Sequence, residues 1–467
     1  MPRPNRSEYM ARTQQLIAYI REEIRSGSRK EGDYLPSEVE LGGIFSLSKE
    51  SVRKALDVLV EEGLIVKIRR VGNKVRLSAP STGSPEAECL PTSTGPEEGM
   101  VLRLACYPPL IREGRLQHAV SEYERQHPGT TIELLPAPFP LDYAGLGLAD
   151  VVTVTGWDAL KQKEKDASLS LLSEAPETEY AHPLLAKPYL EEGGGLKAAP
   201  FVFSPVVLCY NRKHFEQCRM EAPHAGWTWY TLLKTARTLH RKLEVRGFAA
   251  HIQSVNRWPV FLLQNSFRFQ HGEGQRAAED PAFWDSLRIS RDLIHQQGGP
   301  VLWTESDEDV ERWFKEGKAA MILTTYFGLN RFLDTELDYG VAPLPALRSD
   351  DTLLLTTGLA VNRLTPHQEE ARKLVRYLCS AEVQADVRRH TLTLPAHREA
   401  LSLKNGLAGN RPQGESVYRE LWDRCRLYSD LNLSTGVLEA VREELKAYWS
   451  RLEDEAEASE RLEALLS

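Results

Sequence analysis

Residues 79–99, "APSTGSPEAECLPTSTGPEEG", contain one large aliphatic side chain, Leu90, and no helical or strand period. A run of Pro, Ser, Thr, Gly and Glu cannot bury enough surface to offset its ordering entropy, so it predicts a flexible tether. The chain on either side must then build separate cores, one in residues 1–78 and one or more in residues 100–467. At roughly 100–200 residues per domain, the longer segment has room for about two units. Charge divides at the same place. Residues 1–78 hold 15 Lys and Arg against 11 Asp and Glu, a net +4, and the remainder holds 43 against 55, a net −12. A basic head on an acidic body suits a head that meets a polyanion.

In residues 1–78 the apolar side chains recur at helical spacing. Leu16, Ile17, Ile20 and Ile24 make one stripe over about residues 9–25. Ser37 and Glu40 follow Pro36 with the spacing of a capping box, and Leu41, Ile44 and Phe45 give a short second helix its buried face. "SLS" supplies a tight turn, with Ser48 as N-cap of a third helix. On that helix Val52, Ala55, Leu56, Leu59 and Val60 share one face, and Lys49, Glu50, Ser51, Arg53 and Lys54 the other, near its leading end. This is the helix-turn-helix plan, whose second helix enters the major groove of DNA. After Gly63, "LIVKIRRVGNKVRL" predicts a hairpin with strands over 64–68 and 74–77 and a connection over 69–73, where Gly72 and Asn73 supply turn chemistry. Arg69, Arg70 and Lys74 at its tip suit the minor groove or its phosphates.

"LPSE", "SLSKESVRKALDVLVEEGLI", a basic strand and "VGNKV", in that order, resemble the winged helix of GntR-type bacterial transcription regulators over about residues 7–78. The resemblance implies double-stranded operator DNA as a partner, bound by a homodimer. It implies that Ser37, Glu38, the leading end of the third helix (Lys49, Ser51, Arg53, Lys54) and Gly72 at the wing tip face that DNA. Two positions depart from the family, which usually carries Arg where Val39 and Lys49 stand. Val39 removes a contact, and Lys49 keeps charge without the bidentate fork that favours guanine. An operator unlike the common one, or read less tightly, is expected.

From Met100 the pattern changes. Val101, Leu102, Leu104 and Ala105 suggest a strand, a helical stretch follows over about 114–126, and "HPGTTIELLP" and "LADVVTVTG" suggest two more strands, the latter buried. Strand–helix–strand alternation predicts an α/β lobe with a parallel sheet, in which ligands bind beyond the strand C-termini. Trp157 and Asp158 stand at such a place. Farther on, Trp227 and Trp229 open a helix, "VERWFKEGKAAMILTTYFG" reads as helix, strand and a loop at Tyr326, "HQEEARKLVRYLCSAEVQADVRRH" reads as a helix pair, and a charged helical run extends from about Leu438. Asp307 and Asp309 sit in a charged stretch and suit a solvated face, while Trp303 and Trp313 flank a helix and suit a core.

"YERQHPGTTIEL", "LADVVTVTG", "LKAAPFVFSPVVLCYNRKHFEQCRMEAPHAGWTWYTLLKTARTL", "FKEGKAAMILTTYF", "GVAPLP", "TTGLAV" and "LPAHREA" occur in an order that resembles the extracellular solute-binding proteins of bacterial carbohydrate ABC importers, over about residues 100–450. The resemblance implies a multidomain chain: a winged helix-turn-helix (residues 1–78), a linker (79–99) and a two-lobed α/β, periplasmic-binding-protein-like clamp (100–467) that closes on a small solute. A sugar offers apolar CH faces and many hydroxyls, so its site needs flat aromatics and planar polar groups in a cleft. By family position Trp157, Asp158, Phe203, Tyr326, Thr357 and Gly358 line that cleft, with Trp258 and Arg398 as further candidates. Head and clamp in one chain imply a ligand-responsive regulator that senses a sugar or oligosaccharide and controls carbohydrate uptake or metabolism genes.

Other classes find little support. No apolar run approaches the ~20 residues of a membrane helix, and the charged N-terminus lacks the apolar core of a secretory signal, so a cytoplasmic chain is expected. Cys89, Cys106, Cys209, Cys218, Cys379 and Cys425 show no C-x-x-C spacing, and no metal-site spacing appears among the twelve His. No nucleophile elbow, phosphate loop, zinc-protease or dinucleotide motif appears, so neither an enzyme nor a cofactor is expected. Two alternatives remain: a GntR-type head joined to a pyridoxal-phosphate aminotransferase-like domain, although no Lys stands in a recognisable cofactor context, and a binding module whose head, given Val39 and Lys49, binds DNA weakly.

Overall fold

The computed structural model describes residues 99–467 except 146, 165–171, 176–178, 192–193, 270–279, 296–303, 305, 405, 407–408 and 467. Of the first 98 it describes 16, 19, 20, 24, 35, 36, 41, 45, 52, 53, 55, 56, 59, 60, 64–68 and 72–75. The chain divides into two compact units, Met1–Thr94 and Gly95–Ser467.

In the first unit the stripes expected from spacing become one core. Leu16, Ile20, Ile24, Leu41, Val52, Ala55, Leu56 and Leu59 are helical and buried together with Leu35 and Ile65. Tyr19 and Phe45 rest against each other at 5.5 Å between ring centroids. Strands β1 (Ile65–Ile68) and β2 (Gly72–Val75) form the antiparallel hairpin, with Ile65 opposite Val75 and Ile68 opposite Gly72. This register puts Gly72 and Asn73 in the second strand rather than in the connection, because the ladder continues two residues beyond where residue type alone places the turn.

The second unit has a mixed sheet. β3 (Met100–Cys106), β4 (Thr130–Pro136) and β5 (Val151–Thr155) run parallel, with β3 in the middle. β6 (Ala199–Asn211) is buried along all thirteen residues. β7 (Met321–Thr325), β8 (Tyr339–Ala342), β9 (Thr352–Val361), β10 (Leu394–Pro395) and β11 (Cys425–Arg426) complete the set. The expected parallel sheet therefore holds for β3–β5 only, since β9 lies antiparallel on β5 and on β6.

Strands β6 and β9 each serve two lobes. The first half of β6, Ala199–Pro205, pairs with β9, and from Val206 onward it pairs with β7 and then also β8. β9 begins against β11 at Thr352 and ends against β5 at Val361. One lobe is thus built on β3, β4 and β5, the other on β7 and β8, and two antiparallel strands cross between them. Pro205 sits at the changeover, where its carbonyl accepts the N–H of Tyr326 at 2.9 Å.

Helices cover both faces. Helix Gln368–Leu378 buries Ala371, Leu374, Val375 and Leu378, the helical spacing expected of it, on the first lobe. Helix Trp229–Leu243 starts at Thr228, whose hydroxyl caps the Thr231 N–H at 3.2 Å, so Trp227 precedes the helix it was expected to open. The charged C-terminal run is two helices, Thr435–Trp449 and Glu455–Leu466. Trp313 is partly buried as expected, under the Arg246 guanidinium at 4.0 Å; Trp303 lies outside the described residues.

Candidate ligand-binding cleft

The crossing strands form the floor of a cavity of about 510 Å³, through Val202, Phe203 and Ser204 of β6 and Leu355, Thr356 and Thr357 of β9. This lies within the roughly 300–1,000 Å³ of small-molecule sites. One wall comes from the strand ends of the first lobe: Tyr107 and Glu113 after β3, and Trp157 and Asp158 after β5, with Phe139. The other comes from Asn256 and Arg257, from Asp307 and Glu311 on helix Asp307–Lys315, and from Phe327 and Arg331 after β7. Tyr428 lines it as well.

Trp157 and Asp158 are positioned by an abrupt change from strand to helix. Helix Gly156–Glu164 begins on the residue after β5, and a Cβ at Gly156 would meet Thr356 Oγ1 at 2.7 Å, so a glycine lets strand and helix join against the floor. Asp158 Oδ2 accepts from the Thr155 hydroxyl at 2.6 Å and from the Tyr107 hydroxyl. Burial, together with the Asp158 charge, raises the Tyr107 phenol far above its ordinary value, so it stays protonated and donates. Trp157 is half-buried and meets the edge of Tyr428 at 4.9 Å. The Tyr428 hydroxyl donates to Asn256 Oδ1, so a series of contacts runs from one wall to the other.

The opposite wall holds charges out of water. Arg257 is 1% exposed and pairs with Asp307 Oδ2 at 3.0 Å. Its Nε and Asp307 Oδ1 are buried without a hydrogen-bond partner among the described residues. Buried polar atoms are seldom left this way, so two unsatisfied atoms on residues that line a cavity suit a polar ligand. Glu311 is also buried. Its Oε1 accepts from Thr324 Oγ1 at 2.7 Å and its Oε2 pairs with Arg331 at 2.6 Å, yet burial still raises its carboxyl.

Glu113 carries a pH signature. Burial pushes its carboxyl from the usual 4.5 up to about 7, against the pull of Arg331. The folded chain therefore holds a proton that the unfolded chain has released between those values. The group's contribution to stability is present below 4.5 and lost as pH rises through about 7. Glu113→Gln should melt with the parent at the acid end and above it at the alkaline end. A melting-temperature difference that stays constant across that range would refute the assignment.

Of the expected ligand residues, the structure brings Trp157, Asp158, Phe203 and Thr357 to the cavity. Trp258 is 1% exposed and packs on Trp449 in the core of the second lobe, and Tyr326 is 0% exposed, its hydroxyl donating to the Glu415 carbonyl at 2.6 Å. Neither lines the cavity. Gly358 lies one residue past the floor, where a Cβ would meet Ala199 O at 3.0 Å; it allows the two strands to approach. Arg398 lines a different, smaller cavity. Asp307 corrects an expectation: it faces the cleft beside Arg257 instead of lying on a solvated face. Tyr107 was missed although it follows β3 as Trp157 follows β5, so the rule about strand C-termini would have found it.

In the head, Arg53 is helical and exposed, and Gly72 and Lys74 lie in β2. Ser37, Glu38, Lys49, Ser51, Lys54, Arg69 and Arg70 fall outside the described residues. Among the described residues no group of three metal-ligating side chains occurs, and no helix is long and apolar enough to cross a membrane.

Two lobes, two crossing strands and a lined cleft between them define a solute-binding clamp. Residues 111–385, more than half of the chain, match the model for the bacterial extracellular solute-binding proteins, and the chain belongs to that family. Residues 12–75 match the bacterial regulatory proteins of the gntR family, so the first unit is a GntR-type DNA-binding region. A putative binding protein of Brucella abortus (strain 2308) is 22% identical over 322 residues, which cover 61% of this chain and 77% of the relative. The probable transcriptional regulator PhnF of Escherichia coli (strain K12) is 36% identical over 66 residues, which cover 14% of this chain and 27% of the relative. Maltose-bound MalE3 of T. maritima superposes with a TM-score of 0.68 at 18% identity, covering 79% of this chain and 99% of that structure. At that identity the likeness speaks for the fold.

Proposed function

We propose that this chain is a ligand-responsive transcription regulator that senses a sugar or oligosaccharide in the interlobe cleft and, as a homodimer in the cytoplasm, controls genes for carbohydrate uptake or metabolism. The observation that carries the proposal is a GntR-type region and a solute clamp with an aromatic and polar cleft in one chain. Trp157 and Phe203 offer flat apolar faces, and Asp158, Asn256 and Thr357 offer acceptors and donors for hydroxyls. Maltose in the structural neighbour's clamp supports a saccharide here. The family match takes the place that an aminotransferase domain would occupy and displaces that alternative.

In this reading the DNA-facing residues are Ser37, Glu38, the leading end of the third helix and the wing. The sugar binds one clamp conformation better than the other and shifts the population toward it. Closure about β6 and β9 then changes the dimer's fit to two half-sites about one helical turn apart. The test couples both halves. A panel of neutral mono- and oligosaccharides is screened for thermal stabilisation of the full chain, and the hits are added to a gel shift on promoter fragments at fixed salt. One or more sugars should raise the melting temperature and change operator affinity. A panel that does neither sinks the sensor half. Absence of salt-dependent binding to any fragment sinks the DNA half and favours a binding module with weak DNA affinity.

A further inference from the structure

The cavity that holds Arg398 measures about 250 Å³, and no Asp or Glu lines it. Its polar lining is Arg398, Arg419, His182, Tyr418 and Ser402, and Trp422 and Leu401 supply apolar surface. Nearby arginines are neutralised: Arg388 and Arg411 pair with Glu415, and Arg424 pairs with Asp350. Arg398 and Arg419 are not. Arg398 Nη2 donates to the Ala181 carbonyl at 2.9 Å and Arg419 Nε to the Tyr418 hydroxyl at 3.2 Å, and neither has a carboxylate partner among the described residues. Two neighbouring guanidiniums without a direct ion pair are notable in a chain of formal charge −8, with Glu415 the acid that acts on Arg419.

The surroundings add further hydrogen-bond donors. Tyr418 also accepts from Arg388, which is 3% exposed and whose Nε and Nη1 are buried without a partner. His182 Nδ1 accepts the Leu184 N–H at 3.2 Å, which fixes the proton of the neutral ring on Nε2 as a further donor. Burial and the charge of Arg398 hold that ring below its ordinary value, while Asp423, outside the lining, has a smaller opposite influence. Trp422 stacks on His182 at 4.5 Å and forms a flat apolar side.

We propose that this cavity is a second ligand site, which takes a small phosphate monoester such as a sugar phosphate. The forks of Arg398 and Arg419 suit the three peripheral oxygens of the dianion, and Trp422 and Leu401 suit the carbon skeleton. The site is also joined to the first. The Trp422 ring lies 5.0 Å from Phe203, which is part of the cleft floor on a crossing strand. An occupant that shifts Trp422 therefore presses on the cleft. This coupling rests on the cleft being the primary sugar site, whereas the second site itself does not.

The test is calorimetric titration of the full chain with glucose 6-phosphate and, separately, with inorganic phosphate. Tryptophan fluorescence is followed in parallel. Glucose 6-phosphate should bind saturably and more tightly than inorganic phosphate. Arg398→Gln/Arg419→Gln should weaken it about tenfold or more while melting with the parent, because both side chains are exposed. Trp422→Phe should reduce the fluorescence change yet retain calorimetric binding. No saturation, binding unchanged in the double variant, or inorganic phosphate as tight as the ester would each overturn the proposal. A failure of every neutral sugar to bind the cleft would leave these results standing, so the two readings fail separately.

Discussion

Trp157→Ala should lower the affinity of the clamp for its saccharide on the order of 100-fold, roughly 2–3 kcal/mol. The magnitude follows from where the ring sits. It stands in the first turn of helix Gly156–Glu164, at the edge of one lobe, and Tyr428 at 4.9 Å limits its freedom before any ligand arrives. An aromatic platform fixed in advance pays little ordering entropy on binding, so most of its contact energy appears as affinity. Its loss removes that platform and frees Tyr428, which reaches across to Asn256. Stability should change little by comparison, because the ring is half-buried and alanine is a good helix former. Trp157→Phe should fall between the two. Titration of the parent and both variants with the same sugar checks the ranking, and an alanine variant that binds within about threefold of the parent (~0.6 kcal/mol) would mean the ring is not a stacking platform.

Trp157 was legible in the sequence for a reason that extends to Tyr107 but not to the rest of the site. A buried apolar strand such as "VVTVT" announces its own end, and the residues beyond a strand end are where an α/β sheet binds ligands. The helix stripes were legible for a similar reason, since Leu374, Val375 and Leu378 bury one face whatever their partners are. Trp258 and Tyr326 were not separable from core residues by type, because large aromatics fill cores as readily as clefts, and the decision lay in long-range packing. Trp258 turns onto Trp449, and Tyr326 turns onto Tyr418. Arg257, the residue before Trp258, reaches the cavity instead. The two-lobe topology was legible through the family resemblance and not through the residue pattern itself. A strand that changes partners at Pro205 looks like one continuous apolar run, and only the pairings of β6 with β9, β7 and β8 reveal the crossing.

Asp307→Ala should destabilise the second unit by roughly 1–3 kcal/mol, the cost of leaving a buried charged group without its partner, since Asp307 itself is only partly buried. The sequence "TESDEDVERW" offers Asp307 as one of several acids at the start of a helix, where a solvated charge is the default. Ser306 starts that helix with its hydroxyl on the Asp309 N–H at 3.2 Å, and this leaves Asp307 on the side that meets Arg257. Arg257 is buried except where it lines the cavity. It is 1% exposed, its N–H is held by the Ser254 carbonyl at 2.8 Å, and the buried helix Pro259–Gln264 follows directly. A guanidinium cannot shed its proton in a protein, and Arg257 Nε already lacks a partner, so without Asp307 the charge would stand almost alone in the wall of the cleft. Set against a total stability of about 5–15 kcal/mol, that loss is large. The pair itself contributes much less than its breakage costs, because Arg257 was desolvated to form it. Arg257→Leu/Asp307→Leu should therefore recover most of the deficit in urea unfolding, while losing sugar binding with the polar wall. If the single and double variants are equally destabilised, the cost comes from lost packing, and the account of a buried charge made tolerable by one carboxylate is wrong.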